Sequence, residues 1–333
     1  MNSPSETCVT FSAPEQAELL AVPRDTSPLL PTQIAGHTLA SLVSAGTELA
    51  DGYQGKTFPY VPGYAAVFEV EEIGSAVEGI AVGDRVFSMG HHQSWQRAES
   101  ETVLRLPQNL APEDAVFARL MSVTMSTLTT TTARPPAPVL VMGLGLVGHL
   151  AAKVFTACGY QVWACDPSPS RREFALESGI SNVLAEISPE TLPVSGRIAL
   201  ALECSGHEGA ALAACRVVCK RGEVVLVGTP WRRYTEIYAQ DLTHAIFHNY
   251  VVLRSGWEWE VPRQPTDFRS NSIRENQEAA LQWLAQGRVS VGNLGQKAAP
   301  QDAQAVYQDL RHGRLNRLAA IFDWTTASVT SSL

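Results

Sequence analysis

The sequence predicts an α/β fold with two domains: a β-rich domain followed by a doubly wound parallel sheet. Before residue 134, short segments of alternating polarity are separated by Gly and Pro, as is typical of antiparallel strands. After residue 138, apolar strands alternate with amphipathic helices, as is typical of a parallel sheet. The length of 333 residues exceeds what one hydrophobic core usually holds, which also favours two domains.

The predicted strands of the first domain are short and bounded by turn residues. They cover Thr38–Val43, Ala65–Ile73, Arg85–Ser88 and Thr102–Leu106. Composition changes at a run of threonines and prolines between residues 129 and 138. We therefore predict a β-rich domain over residues 1–122 and a second domain over residues 123–264, with residues 265–333 returning to complete the first.

The second domain is predicted to alternate strands with helices. Its strands cover Val139–Met142, Gln161–Cys165, Arg197–Cys204, Glu223–Val227 and Val251–Ser255, and its helices cover Val147–Cys158, Glu208–Cys219 and Tyr238–Asn249. Two further helices, Asn276–Gln286 and Ala303–Arg311, precede a last strand, Leu318–Phe322.

A glycine pattern joins the first strand of this domain to its first helix. Gly143, Gly145 and Gly148 form a G-x-G-x-x-G turn that includes Leu146 and Val147, and the predicted helix begins at Val147. The first glycine allows a tight turn, the second lets backbone N–H groups approach a pyrophosphate, and the third lets helix and strand pack closely. Phosphate charge is also favoured at a helix N-terminus. The pattern in this context predicts a dinucleotide site.

Asp166 ends the next strand, roughly 20 residues after the turn, where an acidic side chain accepts the ribose hydroxyls. It would repel a 2′-phosphate, so we expect NAD as the cofactor. Arg171 and Arg172 follow and leave NADP possible if Asp166 turns away; otherwise they belong to the solvent face of a helix. Ser205 with Gly206 and Gly228 with Thr229 end later strands and are expected to line the same crevice.

Composition excludes several functions. The formal charge is −8 without a basic stripe, which argues against nucleic-acid binding. The sequence has neither an apolar run of membrane-spanning length nor a signal peptide, so we expect a cytoplasmic protein. Its six cysteines form no C-x-x-C pair and are expected to be buried thiols. Cys215 and Cys219 would lie one helical turn apart and could share a metal, although core packing is the simpler interpretation.

The chain resembles the medium-chain dehydrogenase/reductase superfamily, which includes zinc alcohol, sorbitol and threonine dehydrogenases. The resemblance covers nearly the whole chain and implies a GroES-like catalytic domain, a Rossmann domain and a homodimer that pairs through Val251–Ser255. The stretch Met89–His92 and Asp323–Trp324 are most similar to a subgroup near bacteriochlorophyllide dehydrogenases. The matching segments are Ser44–Glu48, Phe58–Gly63, Val70–Gly74, Gly83–Val86, Leu106–Pro107 and Gly143–Gly148.

The departures from the family pattern concern its zinc ligands. Ala45 stands where zinc members have a cysteine, and Tyr64 stands where they have a histidine. A third ligand position falls near Arg119, Leu120 or Met121, none of which binds zinc. The loop around residues 89–98 has no cysteines for a structural zinc. We therefore expect no metal, and hydrogen bonding or proton transfer must replace the Lewis acid.

Four residues are candidates for this chemistry. His92 matches a subgroup histidine and suits proton relay near neutral pH, whereas His91 is expected to be a solvated loop residue. The phenol of Tyr64 would point into the former metal site and donate to a carbonyl, unless the ring only fills space. Thr47 matches the family's proton-relaying hydroxyl or bonds its own turn. Glu48 orients Thr47, a backbone amide or His92, or begins a helical turn.

We therefore expect a zinc-independent NAD(P)-dependent oxidoreductase that moves hydride between a nicotinamide and a carbonyl or secondary alcohol of a small to medium organic substrate. An NADPH-dependent quinone or enoyl reductase is one alternative. A catalytically silent NAD(P)-binding sensor or assembly protein is another. The sequence specifies neither the substrate nor the reaction direction, because function resides in the site rather than in the fold.

Overall fold

The computed structural model describes residues 5–269 and 271–326. The chain divides into two compact units, one of Met1–Arg119 with Leu281–Leu333 and one of Leu120–Ala280. Both limits of the second unit lie inside helices, Ala118–Thr130 and Ile273–Ala285. The limits predicted from the sequence, 122 and 264, stay predictions, and the first of them lies inside the same helix, Ala118–Thr130.

The described residues form the following regular elements. Strands β1 to β15 cover, in order, Ser5–Ala13, Gln16–Pro23, Gln33–Leu42, Ala66–Ile73, Arg85–Ser88, Trp95–Glu99, Leu104–Arg105, Pro138–Met142, Gln161–Cys165, Val183–Leu184, Ile198–Glu203, Val218–Leu226, Val252–Ser255, Gly295–Ala298 and Ala319–Asp323. Helices α1 to α9 cover Ala45–Thr47, Pro112–Ala115, Ala118–Thr130, Leu146–Ala157, Pro169–Glu177, Glu208–Val217, Ala239–Asn249, Ile273–Ala285 and Ala303–Arg311. A π-helix, Glu48–Tyr53, continues α1.

The first unit is built on a seven-stranded, mostly antiparallel sheet. Its order is β14-β15-β3-β4-β5-β7, and β6 also pairs with β3. Strand β15 pairs antiparallel with β3, so the C-terminal segment completes the sheet that the N-terminal segment begins. The apolar pattern of β4 explains its central place, since Ala66, Val67, Phe68 and Val70 are fully buried.

A hairpin of β1 and β2 precedes this sheet and was not predicted. Its first strand buries Val9 and Phe11 completely. The Phe11 ring packs edge-on against Tyr53 and Tyr307, with centroids 5.3 and 4.8 Å apart. The hairpin is therefore held by an aromatic cluster whose members are distant in sequence, which local patterns do not reveal.

The second unit is a six-stranded parallel sheet with the order β10-β9-β8-β11-β12-β13. The order reverses between β8 and β11, and a doubly wound sheet binds its ligand at such a switch point. Buried apolar residues of β8, β11 and α6 form one hydrophobic cluster, including Leu140, Ala201 and Cys215. The predicted α/β class is confirmed, with a β-rich unit and a parallel-sheet unit.

Two local predictions need correction. Helix α6 ends at Val217 and β12 begins at Val218, so Cys219 lies in a strand and not one helical turn from Cys215. The predicted strand Thr102–Leu106 contains only two strand residues, because a 3-10 turn occupies Ser100–Thr102.

No helix in the described part of the chain is long and apolar enough to cross a membrane.

Candidate active site

His92 is buried with no exposed surface, whereas its neighbour His91 is exposed. The loop after β5 closes on residues 62 and 63: the His92 amide donates to the carbonyl of Pro62 over 3.0 Å. A Cβ atom on Gly63 would lie 2.6 Å from the His92 nitrogen, so only glycine permits this approach. The solvated-loop alternative for His92 is therefore wrong.

The carboxylate of Glu48 is the centre of a hydrogen-bond network in the first unit. Its Oε1 accepts from the amide of Ser44 over 2.8 Å, and its Oε2 accepts from Oη of Tyr307 over 2.5 Å. Nε2 of His92 lies 3.2 Å from the same Oε2. Glu48 is only 1% exposed, so this carboxylate is held almost entirely by protein donors. Glu48 also begins the π-helix. It therefore both contacts His92 and a backbone amide and begins a helical turn, which the sequence analysis gave as alternatives.

Tyr307 acts as a hydrogen-bond donor in this network. Burial raises the pKa of its phenol well above the ordinary value, and the charge of Glu48 raises it further. The Tyr307 phenol therefore stays protonated at neutral pH. A protonated phenol beside an ionised carboxylate forms a strong, charge-assisted hydrogen bond.

The other ring nitrogen of His92 faces a serine. Nδ1 of His92 lies 2.8 Å from Oγ of Ser41, and Nε1 of Trp324 donates to the same Oγ over 2.9 Å. In the neutral tautomer, Ser41 donates to Nδ1 and Nε2–H donates to Glu48. In the imidazolium both nitrogens donate, and Ser41 accepts from His92 and Trp324 with its two lone pairs. Both ring nitrogens of His92 thus have hydrogen-bond partners in either arrangement of the ring protons.

Tyr64 lies at the edge of the network and is partly exposed. Its Oη donates to Oγ of Ser44 and is also hydrogen-bonded by the Thr47 side chain. Burial raises the pKa of the Tyr64 phenol, and the charge of Glu48 adds to the effect. Tyr64 is therefore a proton-carrying donor beside the hydroxyl of Thr47.

A zinc ion does not fit the residues at the family's metal positions. Ala45 has no side-chain ligand atom, the Tyr64 hydroxyl donates a hydrogen bond to Ser44, and Arg119 is a permanent cation. Among the described residues there is no group of three or more His, Cys, Asp or Glu side chains that could hold a metal ion. Zinc sites need three or four such donors in fixed geometry.

The structure brings all four predicted side chains, Thr47, Glu48, Tyr64 and His92, into one cluster. Sequence reasoning missed several of their partners. The cation Arg119 lies over the Tyr64 ring at 4.9 Å, and Tyr307 lies 259 residues from Glu48 along the chain. Trp324 belongs to the segment Asp323–Trp324 that resembles the subgroup, whereas no sequence pattern pointed to Tyr307. The missed residues are Ser41, Ser44, Arg119, Tyr307 and Trp324.

The glycine turn of the second unit has the geometry its sequence requires. Gly143 has a φ of +85°, which favours glycine. A Cβ on Gly148 would lie 1.8 Å from the carbonyl oxygen of Gly143, whereas a Cβ on Gly145 would meet nothing within 4 Å. The open space at Gly145 adjoins the first N–H groups of α4, from Leu146 and Val147, which lack intrahelical acceptors. This cradle fits a pyrophosphate.

Asp166 lies against this turn and is 2% exposed. Its carboxylate accepts from the amides of Leu144 and Ser168 over 2.7 and 2.8 Å. Nη1 of Arg171 lies 3.5 Å from the same carboxylate, although its side chain is 53% exposed. Asp166 therefore braces the glycine turn in addition to standing at the ribose position.

Glu203, at the end of β11, was missed by sequence reasoning. Its carboxylate accepts from the amide and hydroxyl of Ser205 and from the amide of Gly206, the last over 2.9 Å. Its carbonyl accepts from the amide of Gly228 over 2.7 Å. Burial raises the pKa of the Glu203 carboxyl, although the hydrogen bonds from Ser205 and Gly206 act to lower it. Glu203 thus joins the two turns that precede His207 and Thr229 at the carboxyl edge of the sheet.

Comparison with known proteins finds relatives of both the first and the second unit. A family profile described as zinc-binding dehydrogenase matches residues 147–258. An alcohol dehydrogenase of Geobacillus stearothermophilus is 24% identical over 296 residues, which cover 78% of this chain and 81% of that protein. Another alcohol dehydrogenase of the same organism is 28% identical over 158 residues, 38% of this chain and 47% of that protein. In such shorter matches the chain spans about half the length of the relative.

A solved structure extends the likeness to the whole fold. Galactitol-1-phosphate dehydrogenase of Escherichia coli superposes with a TM-score of 0.81 at 15% identity, over 95% of this chain and 99% of that one. The fold is shared with this two-domain structure. In sequence and fold the chain is similar to the medium-chain dehydrogenase/reductase superfamily. The resemblance is confirmed at this level, and the subgroup near bacteriochlorophyllide dehydrogenases stays a prediction.

Proposed function

We propose that the protein is a zinc-independent, NAD-dependent oxidoreductase that transfers hydride between a nicotinamide and a carbonyl or secondary alcohol of a small to medium organic substrate. The observation that carries the proposal is the buried network of Glu48, His92 and Ser41 beside the phenol of Tyr64. Such a network is costly to bury, and its groups suit proton transfer. The likeness to alcohol and polyol dehydrogenases of the medium-chain type supports the reaction class.

Tyr64 polarises the substrate oxygen when its single O–H turns from Ser44 to the substrate, because its phenol is protonated and partly exposed. The hydroxyls of Thr47 and Ser44 adjoin Tyr64 and pass the proton onward. His92 has no exposed surface, so it acts through Glu48 rather than on the substrate directly. Glu48 orients the helical turn that carries Thr47 through its bond to the Ser44 amide.

The cofactor, when bound, accepts or donates the hydride. The cradle at Gly145 and the amides of Leu146 and Val147 would hold its pyrophosphate, and Asp166 would accept a ribose hydroxyl. Glu203 fixes the turns at Ser205 and Gly228, which would line the cofactor crevice. A 2′-phosphate would meet the carboxylate of Asp166, which favours NAD over NADP.

The test is to titrate chelator-treated protein with NADH and NADPH by fluorescence, and then to screen ketones, enones and secondary alcohols for turnover. We expect tight NADH binding, weak NADPH binding and ketone turnover that added zinc does not raise. An Asp166→Ala variant should narrow the preference for NADH, and Arg171→Ala is the matched control. Preference for NADPH with enone turnover would favour the quinone or enoyl reductase alternative, and NADH binding without any turnover would favour a sensor.

We also propose that the protein is a homodimer. Strand β13 is an edge of the six-stranded sheet, with unpaired backbone groups on its outer side. Around it, Phe247, Tyr250 and Val252 are 77%, 64% and 46% exposed. An exposed apolar edge of this kind is typical of a surface that pairs with a second copy across a twofold axis.

A further inference from the structure

Arg119 places a buried positive charge beside Tyr64. Its side chain is near the start of α3 and the residue is only 4% exposed. The guanidinium carbon lies 4.9 Å from the centre of the Tyr64 ring. A guanidinium cannot be deprotonated in a protein, and its attraction to an aromatic ring grows when both are desolvated. The pair is therefore a fixed charge and a proton donor in contact.

The charges on the two sides of Tyr64 oppose each other. Glu48 is linked to the phenol through Ser44 and disfavours a negative charge on it. Arg119 favours that negative charge, as do the hydrogen bonds from Ser44 and Thr47. The remaining titratable groups of the cluster, Tyr307 and His92, are both hydrogen-bonded to Glu48 rather than to Tyr64. Arg119 is thus the cation of this cluster that acts on the Tyr64 phenol.

We propose that Arg119 is a positioning residue for Tyr64 and supplies the fixed positive charge that a metal ion supplies elsewhere in the superfamily. This inference rests on the proposed function. If the bound cofactor supplied hydride to a carbonyl carbon, the C=O electron pair would move to oxygen, and the Tyr64 Oη–H bond would break to protonate it. Arg119 stabilises the resulting phenolate until a proton from solvent returns through the hydroxyls of Ser44 and Thr47.

The experiment compares Arg119→Met, Arg119→Lys and the parent protein. One readout is the alkaline titration of Tyr64, followed as tyrosinate absorbance and assigned by its absence in Tyr64→Phe. Because Arg119 favours the phenolate, Arg119→Met should move this titration to higher pH, and Arg119→Lys should keep it near the parent. If the Arg119 side chain served only for packing, Arg119→Met would not change the pH at which Tyr64 titrates.

The second readout is ketone reduction in a single turnover. We expect Arg119→Met to slow it about 10-fold or more, short of the 10²- to 10³-fold lost with a direct oxyanion donor. NADH affinity should not change, and Arg119→Lys should recover part of the rate. Equal losses in both variants with an unmoved Tyr64 titration would overturn the inference, as would a parent-like Arg119→Met.

Two controls keep the outcomes distinct. Thermal unfolding checks each variant, and Arg119→Gln replaces Arg119→Met if the latter does not fold. The titration of Tyr64 needs no substrate, so it reports on Arg119 even if the parent reduces no ketone. Failure of the proposed function therefore shows as absent turnover in the parent, and failure of this inference shows as an unmoved titration.

Discussion

Glu48 illustrates how a buried charge is retained in this protein. Its three donors come from three parts of the chain: Ser44, His92 and Tyr307. Removing one partner of a buried hydrogen-bonded charge costs more than removing an exposed contact, because the desolvation cost of the charge stays. The residues of this network therefore couple stability to the proposed proton transfer.

His92→Gln tests that coupling. The variant breaks the contact with Glu48 and removes the imidazole ring, so we expect turnover to fall about 10²-fold or more while NADH affinity is unchanged. His91→Gln, at the exposed neighbouring position, is the matched control and should retain parent activity. Steady-state kinetics with a ketone provide the measurement, and full turnover of His92→Gln would refute a role for the network. If this variant fails to fold, Ser41→Ala removes the Nδ1 partner more gently.

His149 provides a pH-dependent term in the stability of the second unit. It is fully buried in α4, and its Nε2 lies 2.7 Å from Oγ of Ser178. Burial, and secondarily the charge of Lys153, lowers the pKa of its imidazole from 6.5 to about 3. Between these values the unfolded chain binds a proton that the folded chain does not, so stability falls as the pH falls from 6.5 towards 3.

The loss from this one group should be about 2 kcal/mol between pH 6.5 and pH 5. Urea unfolding at the two pH values measures it. His149→Gln keeps a polar partner for Ser178 and should reduce the pH dependence by this amount. His248→Gln removes an exposed histidine of α7 and serves as the control. An unchanged slope in His149→Gln would contradict the assignment.

At the scale of elements, two glycines between β8 and α4 have different roles. Gly148 permits close packing of helix and strand, whereas Gly145 leaves space open for a ligand. Gly148→Ala places a Cβ 1.8 Å from the carbonyl oxygen of Gly143, so the helix must shift. Gly145→Ala meets nothing within 4 Å, and the residue already has a φ of −66°. The first substitution therefore damages packing, whereas the second only fills the space intended for a ligand.

We expect Gly148→Ala to lose about 1–3 kcal/mol of stability together with NADH binding. Gly145→Ala should keep the parent's unfolding midpoint and lose about 10-fold or more in NADH affinity. Denaturant unfolding and fluorescence titration of both variants provide the comparison. Parent-like NADH affinity in Gly145→Ala would show that the cradle does not hold the pyrophosphate.

At the scale of the whole molecule, the exposed edge at β13 predicts the assembly. Val252→Asp places a charge on this edge, where a second copy would have to bury it, and should convert a dimer into a monomer. Val82→Asp, at a 62% exposed position of the first unit, is the control. Sedimentation velocity of the three proteins decides the question, and a monomeric parent would contradict the homodimer.

The sequence alone determined the features that depend on local sterics and periodicity. Gly143 and Gly148 can be identified without coordinates, because a positive φ and a backbone contact admit no Cβ. The alternation of strands and helices after residue 138 likewise predicted a parallel sheet, and the structure confirms it. Thr47, Glu48, Tyr64 and His92 were found because a family resemblance placed them near one site.

Only the tertiary structure decided which groups partner these residues. Tyr307 reaches Glu48 across 259 positions, and Arg119 reaches the ring of Tyr64 from helix α3. Neither contact leaves a periodic or spacing signal, because burial and charge pairing depend on distances in space. The sequence thus specified the cofactor turn and the candidate residues, whereas the folded chain decided that His92 is buried and which side chain places a cation beside Tyr64.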